Sequence, residues 1–243
     1  MTRFCRFELR TTDVAAARAF YAAVLGRHVG DGDGGGDDHG EAVVTLPAEA
    51  AARGAPAHWL GHLGVADVEA TARAFVERGA TRLGPTRPAR GGGEVAILRD
   101  PGGAVVALAT PSAGPSPAGV AWHLLDTTDL SRASAAYRDV LGWRLAERID
   151  RGALGVLQPF AWDASGASVG AMIDMAGRPG RHPHWLFHFG VAALEAALAA
   201  VAAGGGVVVA RAALPDGARI AVCDDAQGAA FALMEQTPAT ARR

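Results

Sequence analysis

The chain contains one segment twice. Residues 58–70 read HWLGHLGVADVEA, and residues 184–196 read HWLFHFGVAALEA. Both copies keep two His, one Trp, a Gly-Val pair and a Glu at the same positions, an agreement that chance does not produce within 243 residues. The sequence is therefore an internal duplication, and it predicts two related modules that each contain this strand and the helix that follows it.

A second repeated string marks the start of a helix in each module. Thr-Thr-Asp occurs at residues 11–13 and again at residues 127–129. Thr and Asp are good helix N-caps, and Gly26 and Gly142 stand where the helices would end. The apolar residues between these signals recur at helical spacing, namely Ala17, Phe20, Tyr21, Val24 and Leu25, then Ala133, Ala136, Tyr137, Val140 and Leu141. On superposition of the modules we expect Tyr21 to overlie Tyr137, and His62 to overlie His188.

The remaining apolar segments are predicted to be strands. They lie at residues 3–10, 42–46, 57–65, 81–87, 94–99 and 104–109, then at 122–126, 143–149, 153–159, 168–175, 184–191, 206–213, 218–223 and 229–235. This order predicts an α+β fold of tandem βαβββ units that form two cup-shaped mixed sheets with helices outside.

The boundary between the modules is predicted from composition. Pro, Ser and Gly punctuate residues 111–117, which we interpret as a linker between modules 1–110 and 119–236. The Gly- and Asp-rich run 30–40 is interpreted as a solvated loop. Only 31 residues separate Gly26 from His58, but 41 separate Gly142 from His184. We therefore expect the first module to be abbreviated, with its fourth strand short or absent.

Composition excludes several classes of partner. The net charge is −2 and the basic residues form no stripe, which argues against nucleic acid. No apolar run approaches the ~20 residues of a membrane span, and the N-terminus lacks the apolar core of a signal peptide. The two Cys do not form a CxxC pair, so a reduced, cytoplasmic protein is expected. A monomer and a homodimer are both compatible with the sequence.

The motifs resemble those of the vicinal oxygen chelate superfamily. The similarity is carried by the opening FELRTTD and FYAAVLG strings, by the segment that follows His58, and by the ending AILRDPGGAVVAL. This superfamily includes glyoxalase I, bleomycin-resistance proteins and extradiol dioxygenases. The chain is most similar to its two-module, glyoxalase-like or hydroxylase-type members. Whether each cup forms within a module or by exchange of units between modules stays open.

The resemblance also implies where a divalent metal would be bound. Its ligand positions correspond to Arg6, Leu60 and Ala107 in the first module, and to Trp122, Leu186 and Ala232 in the second. None of these side chains is a usual ligand for zinc or iron. We therefore expect no metal and no other cofactor, and we expect chelation to leave the melting temperature unchanged.

Two polar residues are the candidates for catalysis. Side chains two apart on a strand share a face, so if Arg6 and Leu60 face the cup, Glu8, Arg10 and His62 face it too. An unpaired carboxylate in an apolar strand is costly, so Glu8 is predicted to be buried and paired with an Arg or with His62. His62 suits general acid–base work, and the alternative is a core histidine with satisfied hydrogen bonds.

The second module is predicted to have the more apolar cup, because Leu124 stands where the first module has Glu8. His123 would point the other way, towards a helix, and Trp59 and Trp185 are predicted to be core residues. A register error of one residue would reverse these faces. The ligand-binding candidates of both modules are Arg6, Arg10, Trp122, Leu124, Asp126, His188 and Met234.

Two hypotheses for function follow. The first is a metal-independent small-molecule-binding protein of the bleomycin-resistance type, with its ligand in a cup of the sheet. The second is a lyase, isomerase or dioxygenase-like enzyme that uses Glu8 and His62, with a relocated divalent metal. Loss of the ligand positions favours the first hypothesis, whereas two polar residues that meet across the first cup would favour the second.

Overall fold

The computed structural model describes residues 2–30, 40–89, 92–111, 119–150, 152, 155–164, 166–178, 182–214 and 217–236. Nearly all of the predicted loop and linker, at residues 31–39 and 112–117, lies outside the described residues. Among the described residues, no helix is both long enough and apolar enough to cross a membrane.

The described residues form five helices and sixteen strands. The helices are Val14–Leu25 (α1), Ala48–Ala52 (α2), Val68–Glu77 (α3), Leu130–Leu141 (α4) and Leu194–Ala203 (α5). The strands of the first half are Phe4–Thr11 (β1), Glu41–Thr45 (β2), His58–Gly64 (β3), Thr81–Arg82 (β4), Arg87–Pro88 (β5), Glu94–Arg99 (β6) and Val105–Ala109 (β7). Those of the second half are Val120–Thr127 (β8), Arg144–Leu145 (β9), Ile149–Asp150 (β10), Val156–Ala161 (β11), Gly170–Asp174 (β12), His184–Val191 (β13), Val207–Ala213 (β14), Arg219–Asp224 (β15) and Ala230–Glu235 (β16).

The strands form two mixed sheets. The first sheet has the order β2-β1-β3-β7-β6-β4, with β5 paired to β6. The second has the order β10-β11-β12-β8-β13-β16-β15-β14, with β9 paired to β11. β3 runs parallel to β7 and β13 runs parallel to β16, whereas the neighbouring pairs β6–β7 and β15–β16 are antiparallel. The predicted α+β fold with mixed sheets of βαβββ-type units is thereby confirmed.

The first half is the shorter one, as predicted. Among its described residues only β2 stands as a strand between α1 and β3, where the second half has β9 to β12. Three details differ from the prediction. The segment 47–56, for which no element was predicted, contains the helix α2, because its Ala residues have high helix propensity. The predicted strand 81–87 consists of two short strands, since Gly84 and Pro85 interrupt it. The predicted strand 143–149 likewise appears as the two short strands β9 and β10.

The repeated Thr-Thr-Asp string caps both long helices. The Asp13 side chain accepts a hydrogen bond from the backbone N–H of Ala16 at 2.9 Å. The Asp129 side chain accepts one from the backbone N–H of Arg132, also at 2.9 Å. Gly26, with φ 66°, ends α1 in the left-handed conformation that glycine adopts at low cost. The N- and C-terminal signals in the sequence therefore identified these two helices correctly.

The chain divides into two compact units, each assembled from three separate segments. Unit 1 contains residues 1–7, 60–116 and 123–186, and unit 2 contains residues 8–59, 117–122 and 187–243. Each unit thus combines a part of the first sheet with a part of the second. The module boundaries predicted from sequence, 1–110 and 119–236, stay a prediction.

Unit 1 is organised around a buried tyrosine. The Tyr137 hydroxyl accepts a hydrogen bond from Trp185 Nε1 at 3.1 Å and donates one to Asp100 Oδ2 at 2.9 Å. The other carboxylate oxygen, Oδ1, accepts from the backbone N–H groups of Gly102 and Ala104 at 2.8 and 3.0 Å. One carboxylate therefore closes the turn after β6 and anchors it to the core.

Unit 2 repeats this network. The Tyr21 hydroxyl accepts from Trp59 Nε1 at 2.9 Å and donates to Asp225 Oδ2 at 3.2 Å. Asp225 Oδ1 accepts from the backbone N–H groups of Gln227 and Ala229 at 2.8 and 2.9 Å. Tyr21 and Tyr137 thus hold corresponding places, as the duplication led us to expect.

Asp100 gives the stability of the protein a specific pH dependence. Burial raises the pKa of its carboxyl to about 6, although bonds from Tyr137 and the backbone oppose this. A raised pKa means that the folded state binds a proton more readily than the unfolded state. Its contribution to stability is therefore fully present below the unfolded pKa, near 3.8, and is lost as pH rises through about 6.

We expect Asp100→Asn to remove this dependence. Between pH 4 and pH 7 the difference in unfolding free energy between variant and unaltered protein should change by about 2–3 kcal/mol, in favour of the variant at the higher pH. Urea unfolding at several pH values measures this difference. Parallel stability curves for the two proteins would contradict the prediction.

Candidate functional site

The alternation of side chains defines two faces on each sheet. Trp59 on β3 and Trp185 on β13 are buried and bond to tyrosines of α1 and α4, which confirms that both are core residues. Their neighbours in sequence point to the opposite side of the strands. We call this opposite side the cup face; it includes His62 on β3 and His188 on β13.

In unit 1, the cup face of the first sheet is a hydrophobic cluster. Its buried members are Leu60, Val95, Ala107 and Ala109, and the partly buried Ala89, Ile97 and Val105 pack against them. His62, which is also buried, lies opposite Ala107 in the β3–β7 register. Two of the three positions where the family resemblance implied metal ligands, Leu60 and Ala107, are therefore filled by core packing.

The residues at the implied ligand positions do not fit a divalent metal. In the second sheet the corresponding positions are Leu186 and Ala232, which are also buried and apolar. Over the ranges that the structure describes, no group of three or more His, Cys, Asp or Glu side chains is placed to hold a metal ion. Carboxylate, imidazole and thiolate are the side chains that bind such ions, and apolar groups cannot replace them.

Glu8 and Arg10 form an ion pair in unit 2. Arg10 donates to Glu8 Oε2 at 3.2 Å, and only 8% of the Glu8 side chain is exposed. Glu8 is therefore buried and paired with an Arg, as predicted. His58 lies in the same unit, and burial lowers its pKa, with a smaller effect from the charge of Arg10. Glu8 and His62 belong to different compact units, and their joint catalytic role stays a prediction.

In unit 1, the cup face of the second sheet carries a row of apolar side chains. Ile149 pairs with Leu157, Leu157 with Ile173, and Ile173 with Asp126 across four neighbouring strands. Directly paired residues lie on one face. Exposure falls along this row: Ile149 is 45% exposed, the next two residues are half-buried, and Asp126 is buried. Leu124, two residues before Asp126 on β8, is half-buried on the same face.

A histidine stands beside the polar end of this row. His184 Nδ1 lies 3.9 Å from Asp126 Oδ2, and the imidazole side chain is 36% exposed. The same nitrogen is 2.8 Å from the carbonyl oxygen of His182. Since a carbonyl only accepts, Nδ1 donates in this bond. A carboxylate and an imidazole thus lie side by side at one end of an apolar surface.

Unit 2 contributes a second group of residues to the same sheet. His188 lies opposite Ala232, and Val222 pairs with Ala232 from the other side. Met234 pairs with Ile220 one step further along. His188 is buried, whereas Met234, Val222 and Ile220 are half-buried. His62 and His188 therefore occupy the same register position in the two sheets.

Arg6, Trp122 and His123 are the remaining residues with a sequence-based prediction. Arg6 and Trp122 are partly exposed, and their roles in binding stay predictions. His123 was expected to point away from the cup, towards a helix. Its ring stacks on Phe4 of β1 at 5.2 Å and meets Trp162 edge-on at 5.1 Å. Phe4 also meets the core residue Trp185 edge-on at 5.1 Å, so His123 lies on the side opposite the cup face.

The sequence-based candidate set omitted His184 and the apolar row. His184 opens the second copy of the repeat, and its parity with His188 places it on the cup face, so the signal was present. Ile149, Leu157 and Ile173 carried a weaker signal, because the pairing of short strands cannot be read from a single sequence.

Comparison with known proteins agrees with this fold. A family model described as the Glyoxalase/Bleomycin resistance protein/Dioxygenase superfamily matches residues 3–108 and 119–233. The chain is 31% identical to CFP32 of Mycobacterium tuberculosis, which is named provisionally as a glyoxylase, over 95% of this chain and 94% of that protein. It is 27% identical to the anthracycline biosynthesis protein DauV of a Streptomyces species, over 97% of this chain and 95% of that protein.

Solved structures share the architecture at low sequence identity. Homoprotocatechuate 2,3-dioxygenase from Arthrobacter globiformis superposes with a TM-score of 0.65 at 17% identity, over 99% of this chain and 81% of that one. The Mn(II)-bound glyoxalase from Novosphingobium aromaticivorans gives 0.63 at 14% identity, over 97% of this chain and 83% of that one. Likeness at this level concerns the fold alone. From the family match to both halves and the relative at 31% identity, the chain belongs to the glyoxalase/bleomycin resistance protein/dioxygenase superfamily.

Proposed function

We propose that this chain is a metal-independent small-molecule-binding protein that holds an apolar or aromatic ligand on the cup face of the second sheet. The observation that carries the proposal is the row of Ile149, Leu157 and Ile173, which leads from an exposed edge to the buried Asp126. Partly exposed apolar side chains that form a contiguous surface with a few polar groups at one end are typical of ligand sites.

The names of the relatives support this class of ligand. The family description includes bleomycin resistance, and DauV is named for anthracycline biosynthesis. An anthracycline is an extended and largely apolar ring system, so its faces would pack well on aliphatic side chains. The apolar packing around Leu60 and Ala107 supports independence from metal, because those positions offer no ligand atoms.

The proposal predicts binding that a polar group on the row weakens. Isothermal titration with an anthracycline and with bleomycin should detect binding of at least one, unchanged by excess EDTA. Ile173→Gln should weaken that binding at least about tenfold, because the ligand would have to bury an amide that has no partner.

A matched variant separates this effect from a general effect of a polar substitution. Val76→Gln adds the same group at an exposed apolar position of α3, away from the row. It should leave affinity unchanged. Equal loss in both variants would contradict the proposed site, and loss of binding on EDTA treatment that Mn²⁺ restores would contradict metal independence.

A further inference from the structure

The charged residues near the first histidine of the repeat differ between the two modules. His58 and His184 are equivalent residues of the repeat, and each places Nδ1 2.8 Å from the carbonyl oxygen two residues before it. The residue immediately before the Thr-Thr-Asp string also has an equivalent in each module. It is Arg10 in the first module and Asp126 in the second. The same histidine thus stands with an Arg–Glu ion pair in one module and beside a carboxylate in the other.

The second module therefore offers a carboxylate beside an imidazole. Asp126 Oδ2 and His184 Nδ1 lie 3.9 Å apart on the cup face. A carboxylate has about four acceptor positions, so Asp126 can accept from a ligand while it keeps other partners.

Apolar surface next to this carboxylate restricts the rest of the ligand. Leu124 and Ile173 are half-buried neighbours of Asp126, the first on its own strand and the second directly opposite it. A ligand that satisfies both parts of this surface has an apolar body and a group with several hydrogen-bond donors. A protonated amine has three such donors and a charge opposite to that of the carboxylate.

We propose that Asp126, with His184 beside it, binds the protonated amine of a small aromatic or aliphatic amine whose apolar body lies on Leu124 and Ile173. This inference rests on the proposed function and adds the charge class of the ligand. A ligand carboxylate is disfavoured at this site, because it would meet Asp126 as a like charge.

Three probes of nearly equal shape test the inference. Naphthalenemethylamine, naphthalenemethanol and naphthoate share the same apolar body and differ in charge. We expect the amine to bind the unaltered protein about ten- to a hundredfold more tightly than the alcohol, and naphthoate to bind more weakly than either. NMR or calorimetric titration at neutral pH gives these ratios without any variant.

Two substitutions locate the effect. Asp126→Asn should reduce amine affinity about ten- to a hundredfold and leave alcohol affinity unchanged. Asp174→Asn removes the same charge from β12; Asp174 pairs with Thr127, which follows Asp126 and therefore lies on the opposite face. It should change neither affinity.

The outcomes separate the inference from the function on which it rests. Equal binding of all three probes, or equal effects of Asp126→Asn and Asp174→Asn, would overturn the amine site while an apolar binding site stands. Absence of binding by every probe would overturn the amine site and would count against the proposed function as well.

Discussion

Replacement of Trp143 by Ala is expected to lower the free energy of unfolding by about 3–5 kcal/mol. The indole is 1% exposed and lies between two parallel rings, Tyr137 at 4.9 Å and Phe160 at 4.6 Å. Its Nε1 also donates to the carbonyl oxygen of Thr2 at 2.9 Å. The substitution removes both stacking contacts and leaves a cavity that flat neighbours cannot fill without moving. Urea unfolding followed by circular dichroism measures the loss.

Two variants identify the origin of that loss. Trp143→Phe keeps an aromatic ring between Tyr137 and Phe160 and loses only ring area and one hydrogen bond, so it should cost clearly less than Trp143→Ala. Val76→Ala on the exposed side of α3 should change stability by less than about 0.5 kcal/mol. A loss below about 1 kcal/mol for Trp143→Ala would show that these stacked rings are not central to the core.

The second large effect is expected at a buried ion pair in unit 2. Arg27 and Glu41 are joined by two hydrogen bonds, at 2.5 and 2.9 Å, and Glu41 is 1% exposed. Arg27→Met should destabilise the fold by about 3–5 kcal/mol, because it leaves a buried carboxylate without its partner. Chemical denaturation of the variant at neutral pH gives this value.

A double substitution tests the physical reason. If the cost comes from the stranded carboxylate, Arg27→Met combined with Glu41→Leu should be more stable than Arg27→Met alone. Arg211→Met provides the control for an exposed pair, since Arg211 and Glu195 are 55% and 60% exposed and should contribute less than about 1 kcal/mol. If the double variant lost as much unfolding free energy as Arg27→Met and Glu41→Leu lose together as single variants, the explanation would be contradicted.

Local signals made much of the fold predictable from the sequence. The capping Asp13 and the terminal Gly26 gave the limits of α1 almost to the residue, because caps are determined by neighbouring residues. The repeat gave the equivalence of His62 and His188, which the strand registers bear out. Alternation along β3 and β13 was sufficient to assign Trp59 and Trp185 to the core.

Features that depend on distant parts of the chain were not predictable in the same way. Trp143 carried no interpretable signal, because the rings around it come from a helix and another strand. The partner of Glu41 lies in the turn after α1, and nothing in an apolar strand indicates which cation will reach it. The apolar row of the candidate site depends on the pairing of β10, β11, β12 and β8, which short strands do not specify by themselves.

Because unit 2 is assembled from segments that are far apart in the sequence, it cannot be completed early during synthesis on the ribosome. Residues 8–59 emerge long before residues 187–243 exist, by roughly ten seconds at ~5–20 residues per second. Throughout that interval Phe20 and Tyr21 lack Phe231, the ring that each of them meets edge-on in the finished protein. The nascent chain therefore presents an aromatic helix face to the cell until translation is nearly complete. Slower elongation would lengthen this exposure, so the yield of native protein should depend on how fast the chain is made and on chaperones that cover the face meanwhile.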